Sequence, residues 1–139
     1  MSGDGARLAA AAHRLVDSPF RLHGRDPATG LDCIGLVIVA LQAVGRPVPA
    51  TPRYTLRNTD IAALLALLPA SGFHSTCEPT APGDLLLLKP SPAQFHLGIA
   101  SIDGALIHAH ASLGRVVETP PPFPWPVLHR WRLSRFPEG

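Results

Sequence analysis

The stretch Cys33-Ile34-Gly35-Leu36-Val37-Ile38-Val39-Ala40-Leu41 carries no charge and shows no polar stripe. Asp32 stands immediately before it, and Gly45 and Pro47 stand shortly after it. A short acidic side chain ahead of an apolar run accepts from the orphan N–H groups of a helix's first turn, and a Gly-x-Pro sequence stops a helix. The pattern predicts a helix that begins at Cys33 and is apolar nearly all round. Such a helix is unsuited to a surface, so it should be the buried centre of whatever the chain builds. The uninterrupted apolar stretches, Ile61 to Leu68 among them, fall far short of the roughly 18 residues a membrane span needs. No membrane insertion is expected.

A length of 139 residues suits one domain, 1–139. Before the central helix, Ala6 to Val16 reads as an alanine-rich helix ended by Ser18-Pro19, and Leu22 to Leu31 as a loop. After it, Thr59-Asp60 caps a third helix, Ile61–Leu68, which Pro69 ends. The second half reads as strands: Asp84–Lys89 after the Pro82-Gly83 turn, then Phe95–Ser101, Ala105–Ala111, Arg115–Glu118 and Val127–Leu133. The proline-rich Thr119-Pro120-Pro121-Pro122-Phe123-Pro124-Trp125-Pro126 must be extended and reads as a rigid connector over the surface. Helices first, then consecutive short strands, predict an α+β fold, the central helix packed on an antiparallel β-sheet.

Hydrophobic residues make up 46% and charged residues 16%, which excludes intrinsic disorder. The net charge of +2 comes from scattered basic residues, so no nucleic-acid partner is expected. Asp4 stands before Arg7, His13 and Arg14 break the N-terminal alanine run, no secretory signal is visible, and a cytoplasmic location is expected. Cys33 and Cys77, in no CxxC pair, argue against a disulfide scaffold and a structural zinc site.

A thiol at a helix N-terminus is the most informative chemical feature. Aligned amide dipoles there stabilise a thiolate and lower its pKa, and the same N–H groups can donate to an oxyanion. The bland alternative is an inert cysteine packed as a small hydrophobe. A nucleophile needs a base and a group that orients the base. His96, His108 and His110 lie on two adjacent predicted strands joined near Asp103-Gly104. A two-residue Asp-Gly turn would send His96 and His108 to opposite faces. A three-residue turn, Ile102-Asp103-Gly104, with Gly104 left-handed, pairs Leu97 with Ala109 and Ile99 with Ile107 on one apolar face. His96, His108 and His110 then share the other face, His96 opposite His110 and diagonal to His108. Patterning selects this register. Three imidazoles on one face could also hold a metal ion. His13, His74 and His129 read as satisfied surface or core residues.

Gly30-Leu31-Asp32-Cys33-Ile34-Gly35-Leu36-Val37 resembles the nucleophile motif of the NlpC-type cysteine peptidases, papain-like endopeptidases that cut bacterial cell-wall peptides. Pro82-Gly83-Asp84-Leu85-Leu86 resembles the family's Pro-Gly-Asp-Leu segment, and His96-Leu97-Gly98-Ile99 its His-Val-Gly-Ile signature. Ile107-His108-Ala109 followed by Gly114-Arg115-Val116 resembles the segment with the third catalytic residue. Phe20-Arg21-Leu22-His23-Gly24-Arg25-Asp26-Pro27 is similar to a small, phage-associated, stand-alone branch.

The resemblance implies a papain-like fold with Cys33 as nucleophile, His96 as general base and later acid, and His108 as orienting partner. Asp32 would cap the helix, and the Cys33 N–H would serve the oxyanion. It implies hydrolysis of a murein stem peptide through a thioester, without a cofactor, and phage tail proteins as partners. The protein would stay in the cytoplasm until virion assembly or lysis. The sequence departs from the family at two points. The upstream tyrosine is replaced by a region offering Phe20, Arg21 and His23, and the serine after the cysteine is Ile34. Phe20, His23, Ile34 and His110 are the candidate groove residues. Tyr54 reads as packing or a groove wall, and Cys77 as a partly buried structural thiol. Asp84 reads as a turn or strand-start residue rather than an acid, and Trp125 and Trp131 as packing, with lining of the groove as the alternative. Two rival readings are a weakly active structural tail protein with the same fold and a metal-binding module built on the histidines.

Overall fold

The computed structural model describes residues 3–46, 48, 65–91 and 94–134. Helix α1 spans Gly3–His13 and is followed by a two-residue hairpin, β1 (Arg25–Asp26) and β2 (Gly30–Leu31). Helix α2 spans Cys33–Ala43, and the strands β3 (Phe73–Ser75), β4 (Leu85–Ser91), β5 (Gln94–Ala100), β6 (Leu106–His110), β7 (Arg115–Thr119) and β8 (Val127–Leu133) complete the order. This is the α+β arrangement that the sequence predicts.

Asp32 initiates α2 as its chemistry requires. Its backbone is extended (φ −96°, ψ −172°) and its side chain accepts the Gly35 N–H at 2.7 Å. Eight of the helix's residues, Cys33 to Ile38 with Ala40 and Leu41, are buried. A Cβ on Gly35 would lie 2.0 Å from the Gly24 carbonyl oxygen, so only glycine lets the first turn seat against the loop before it.

Six strands form one antiparallel sheet in the order β3-β8-β4-β5-β6-β7. Ile99 pairs with Ile107 and Ala100 with Leu106. That is the register of the three-residue turn, and Gly104 takes the left-handed conformation the turn demands (φ +82°). Alternation then divides the sheet. Leu85, Leu87, Leu97, Ile99, Ile107, Ala109, Trp131 and Leu133 join α1 and α2 in the main core. On the other face, Leu86, Leu88, Ala100 and Leu106 form a second cluster, covered by Phe123 and Trp125 of the proline-rich connector.

Several expectations are corrected. The first helix is Gly3–His13, displaced from 6–16 because the chain leaves the helix in a run of turns and reaches Asp17 with φ +76°. The segment 22–31 is not all loop: it contains the β1–β2 hairpin. Strand β3 was not expected from the sequence, and it joins the sheet by pairing Phe73 with Leu133. Asp84 is more than a turn residue, being fully buried and bonded twice to Arg132. Cys77 is exposed. Residues 61–64 of the expected third helix, and Tyr54, lie outside the described residues.

Candidate active site

Three elements bring the site together: the start of α2 supplies Cys33, β5 supplies His96, and β6 supplies His108 and His110. The loop before α2 is tied to the cap. Asp32, fully buried, also accepts the His23 N–H at 2.7 Å and faces the Arg25 guanidinium at 3.3 Å. One carboxylate thus holds the helix start and the preceding loop in register.

Cys33 packs in the main core, against the backbone of Leu97, and is 1% exposed. The backbone N–H groups of Leu97, Cys33 and Ile34 bear on its sulfur and pull its pKa down, as a helix start should. Burial and then the neighbouring Asp32 carboxylate outweigh them and push the thiol up to about 12. The expected depression of the Cys33 pKa is therefore reversed. A helix terminus contributes only partial charges, whereas removal from water penalises the whole thiolate.

His96 Nε2 lies 2.8 Å from His108 Nδ1, with the rings edge-on at 4.9 Å and 80°. The contact expected across the diagonal is present. Burial, then His108 and His110, hold the His96 imidazole down to about 3, and burial, then His110, hold His108 down to about 4. Both rings are neutral at neutral pH. His108 Nε2 in turn meets the Thr119 hydroxyl at 2.7 Å. Because His96 Nε2 is occupied by His108, Nδ1 is the nitrogen left for a thiol. Among the described residues no hydrogen bond joins Cys33 to His96, although Cys33 touches the adjacent residue, Leu97.

The indole of Trp125 stands over all three imidazoles, its ring centroid 5.4 Å from His108, 6.2 Å from His96 and 6.5 Å from His110. A cleft of about 210 Å³ opens beside them, lined by Phe20, Pro90, His96, His110, Ser112 and Trp125 among others. Of the candidate groove residues, Phe20 and His110 line it. Ile34 instead faces an apolar cavity with Val37, Ile38 and Leu41, and exposed His23 contributes its main chain to Asp32. His110 Nδ1 accepts the Leu113 N–H at 3.1 Å, which gives that ring a role in the β6–β7 loop. Trp131 is a core residue, as packing predicts.

His13 meets Glu118, His74 meets Ser134 and His129 meets Ser75 at the surface. Among the described residues no group of three His, Cys, Asp or Glu side chains is arranged to hold a metal ion. His96 and His108 face each other instead of a common point. No helix among the described residues is long and apolar enough to cross a membrane. Thr119 is the site residue that sequence reasoning did not place, and Trp125, weighed as a groove wall or as packing, lines the cleft. The signal for Thr119 was register: it pairs with Leu106, whose face is the histidine face.

The fold is shared with two solved proteins of Trichomonas vaginalis. NlpC2 superposes with a TM-score of 0.70 at 18% identity, over 93% of this chain and 48% of its own. NlpC1 does so with 0.68 at 20% identity, over 93% and 45%. The chain thus spans less than half the length of either. The NlpC/p60 domain of the peptidoglycan hydrolase SagA is 28% identical, with a TM-score of 0.55 over 82% of this chain and 86% of that one. No curated protein matches the chain. The NlpC/P60 family matches it across residues 17–123, a span that contains the capped cysteine, all three clustered histidines and Thr119. The chain belongs to the NlpC/P60 family.

Proposed function

We propose that the chain is a cysteine peptidase that hydrolyses an amide bond in the stem peptides of murein. The observation that carries this reading is the 2.8 Å contact between His96 and His108, one residue along β5 from the backbone that touches the Cys33 sulfur. Membership of a family that includes a peptidoglycan hydrolase supplies the substrate class.

In this reading His96 Nδ1 removes the proton as the Cys33 sulfur attacks the carbonyl carbon. The Cys33 N–H donates to the oxyanion. Collapse expels the amine, which takes its proton from His96, and leaves a thioester. Water, deprotonated by His96, then releases the carboxylate and restores the thiol. Burial holds both the thiol and the imidazole toward their neutral forms, which supports a proton transfer in step with the attack. The segment 20–27 supports placing the enzyme with phage tail proteins, meeting murein at virion assembly or lysis.

A catalytically silent family member is the second reading, and the near-complete burial of Cys33 favours it. Digestion of purified muropeptides by the full chain, with fragments identified by mass, decides between them. New fragments that vanish in C33A establish the peptidase; intact muropeptides with the wild-type chain establish the silent domain.

A further inference from the structure

The proton positions along the histidine chain are not independent of one another. His96 Nε2 faces His108 Nδ1 at 2.8 Å, and His108 Nε2 faces Thr119 Oγ1 at 2.7 Å. Each contact needs one donor and one acceptor, and a neutral imidazole offers one of each. The chain therefore has two polarities. In one, protons sit on Nε2 of both rings, His108 donates to Thr119, and the lone pair of His96 lies on Nδ1. In the other, the Thr119 hydroxyl donates to His108 Nε2, His108 Nδ1–H donates to His96 Nε2, and His96 Nδ1 carries the proton. Only the first leaves His96 able to accept a thiol proton, because its Nε2 is occupied in both.

The residue at the far end of this hydrogen-bond relay is Thr119. Thr119 ends β7 and pairs with Leu106, so its hydroxyl is carried to the histidine face by the same ladder that holds His108 opposite Val117. It is half-buried, so its own hydroxyl hydrogen can turn toward water while the oxygen accepts. We infer that Thr119 is a positioning residue that holds His108 as the Nε2–H tautomer and thereby keeps the basic lone pair of His96 on Nδ1. The assignment rests on the cysteine-peptidase reading for its consequence, but the hydrogen-bond polarity it asserts can be read without any substrate.

Long-range nitrogen–proton NMR of the imidazoles in the full chain, at neutral pH, tests it on wild type, T119V and T119S. Wild type and T119S should both show His96 and His108 protonated on Nε2. T119V, which keeps the shape and loses the oxygen, should move the His108 proton wholly or partly to Nδ1. Muropeptide hydrolysis by T119V should fall about three- to tenfold in kcat with KM unchanged, and T119S should recover it. A wild-type His108 protonated on Nδ1 overturns the inference, as does a T119V spectrum identical to wild type. So does a T119S variant as impaired as T119V, which would make the role one of packing. A wild-type chain that cleaves nothing while showing the predicted tautomers defeats the peptidase reading and leaves the positioning assignment standing.

Discussion

His108 turns its Nδ1 to His96 at 2.8 Å, whereas the neighbouring His110 uses its Nδ1 to accept the Leu113 N–H at 3.1 Å. The two rings sit on the same face of β6, yet among the described residues only His108 is hydrogen-bonded to the base. H108A should lower kcat on muropeptides by about a hundredfold, since an unoriented imidazole loses most of its general-base advantage. H110A should cost less than about tenfold. Steady-state kinetics of both variants check this, and the opposite ranking would transfer the orienting role to His110.

The two thiols should react in the order that their burial dictates. Cys77 is exposed, whereas Cys33 is buried with its pKa pushed up to about 12. Only the thiolate is the nucleophile, so limiting iodoacetamide should label Cys77 first by about a hundredfold at mildly alkaline pH. Peptide mapping by mass reads the ratio. Preferential labelling of Cys33 would show that the sealed arrangement is not the one populated in solution.

Acid should weaken the fold through the histidine pair. His96 and His108 titrate near 6.5 when unfolded but are held down to about 3 and about 4 when folded. Between those values and 6.5 the unfolded chain binds more protons, so stability is complete above about pH 6.5 and falls as pH drops below it. The loss is at most about 1.4 kcal/mol per pH unit for each ring. Urea unfolding across this range should show the decline, and the H96N/H108N double variant should flatten it.

Asp84 and Arg132 meet through two hydrogen bonds of 2.9 Å each, joining the start of β4 to β8. The Asp84 side chain is essentially buried, and the Arg132 side chain is only 22% exposed. R132M would leave the carboxylate in the interior with the Ala81 N–H as its remaining described partner. The expected loss is about 3 kcal/mol, read as a lower denaturation midpoint. An R132M variant as stable as wild type would show that the carboxylate escapes to water.

Much of this fold was legible in local patterns. Asp32 ahead of an unbroken apolar run located α2 and its cap, and the end of the proline-rich connector at Pro126 gave β8 its bounds, Val127–Leu133. The register of β5 on β6 followed from requiring Leu97, Ile99, Ile107 and Ala109 to share one face. What escaped depends on contacts between distant parts of the chain. The β1–β2 hairpin has two residues per strand, too few for any alternation to show. The Cys33 pKa depends on what covers the helix start, and helix position alone carries no information about that cover. Thr119 and Trp125 reach the histidines only because β7 pairs with β6 and the proline-rich segment doubles back over the sheet. Nothing in their immediate neighbours announces either contact.

Strand β8 lies between β3 and β4, and among the described residues β3 meets the sheet through β8 alone. A nascent chain therefore exposes Cys33, His96 and His108 well before it can finish the scaffold around them. Until residues 120–133 have left the ribosome and folded back, β3 has no strand to join and the imidazoles have no indole above them. Residues 120–133 thus act as the latch of the site, which is complete only once they have folded back across the sheet.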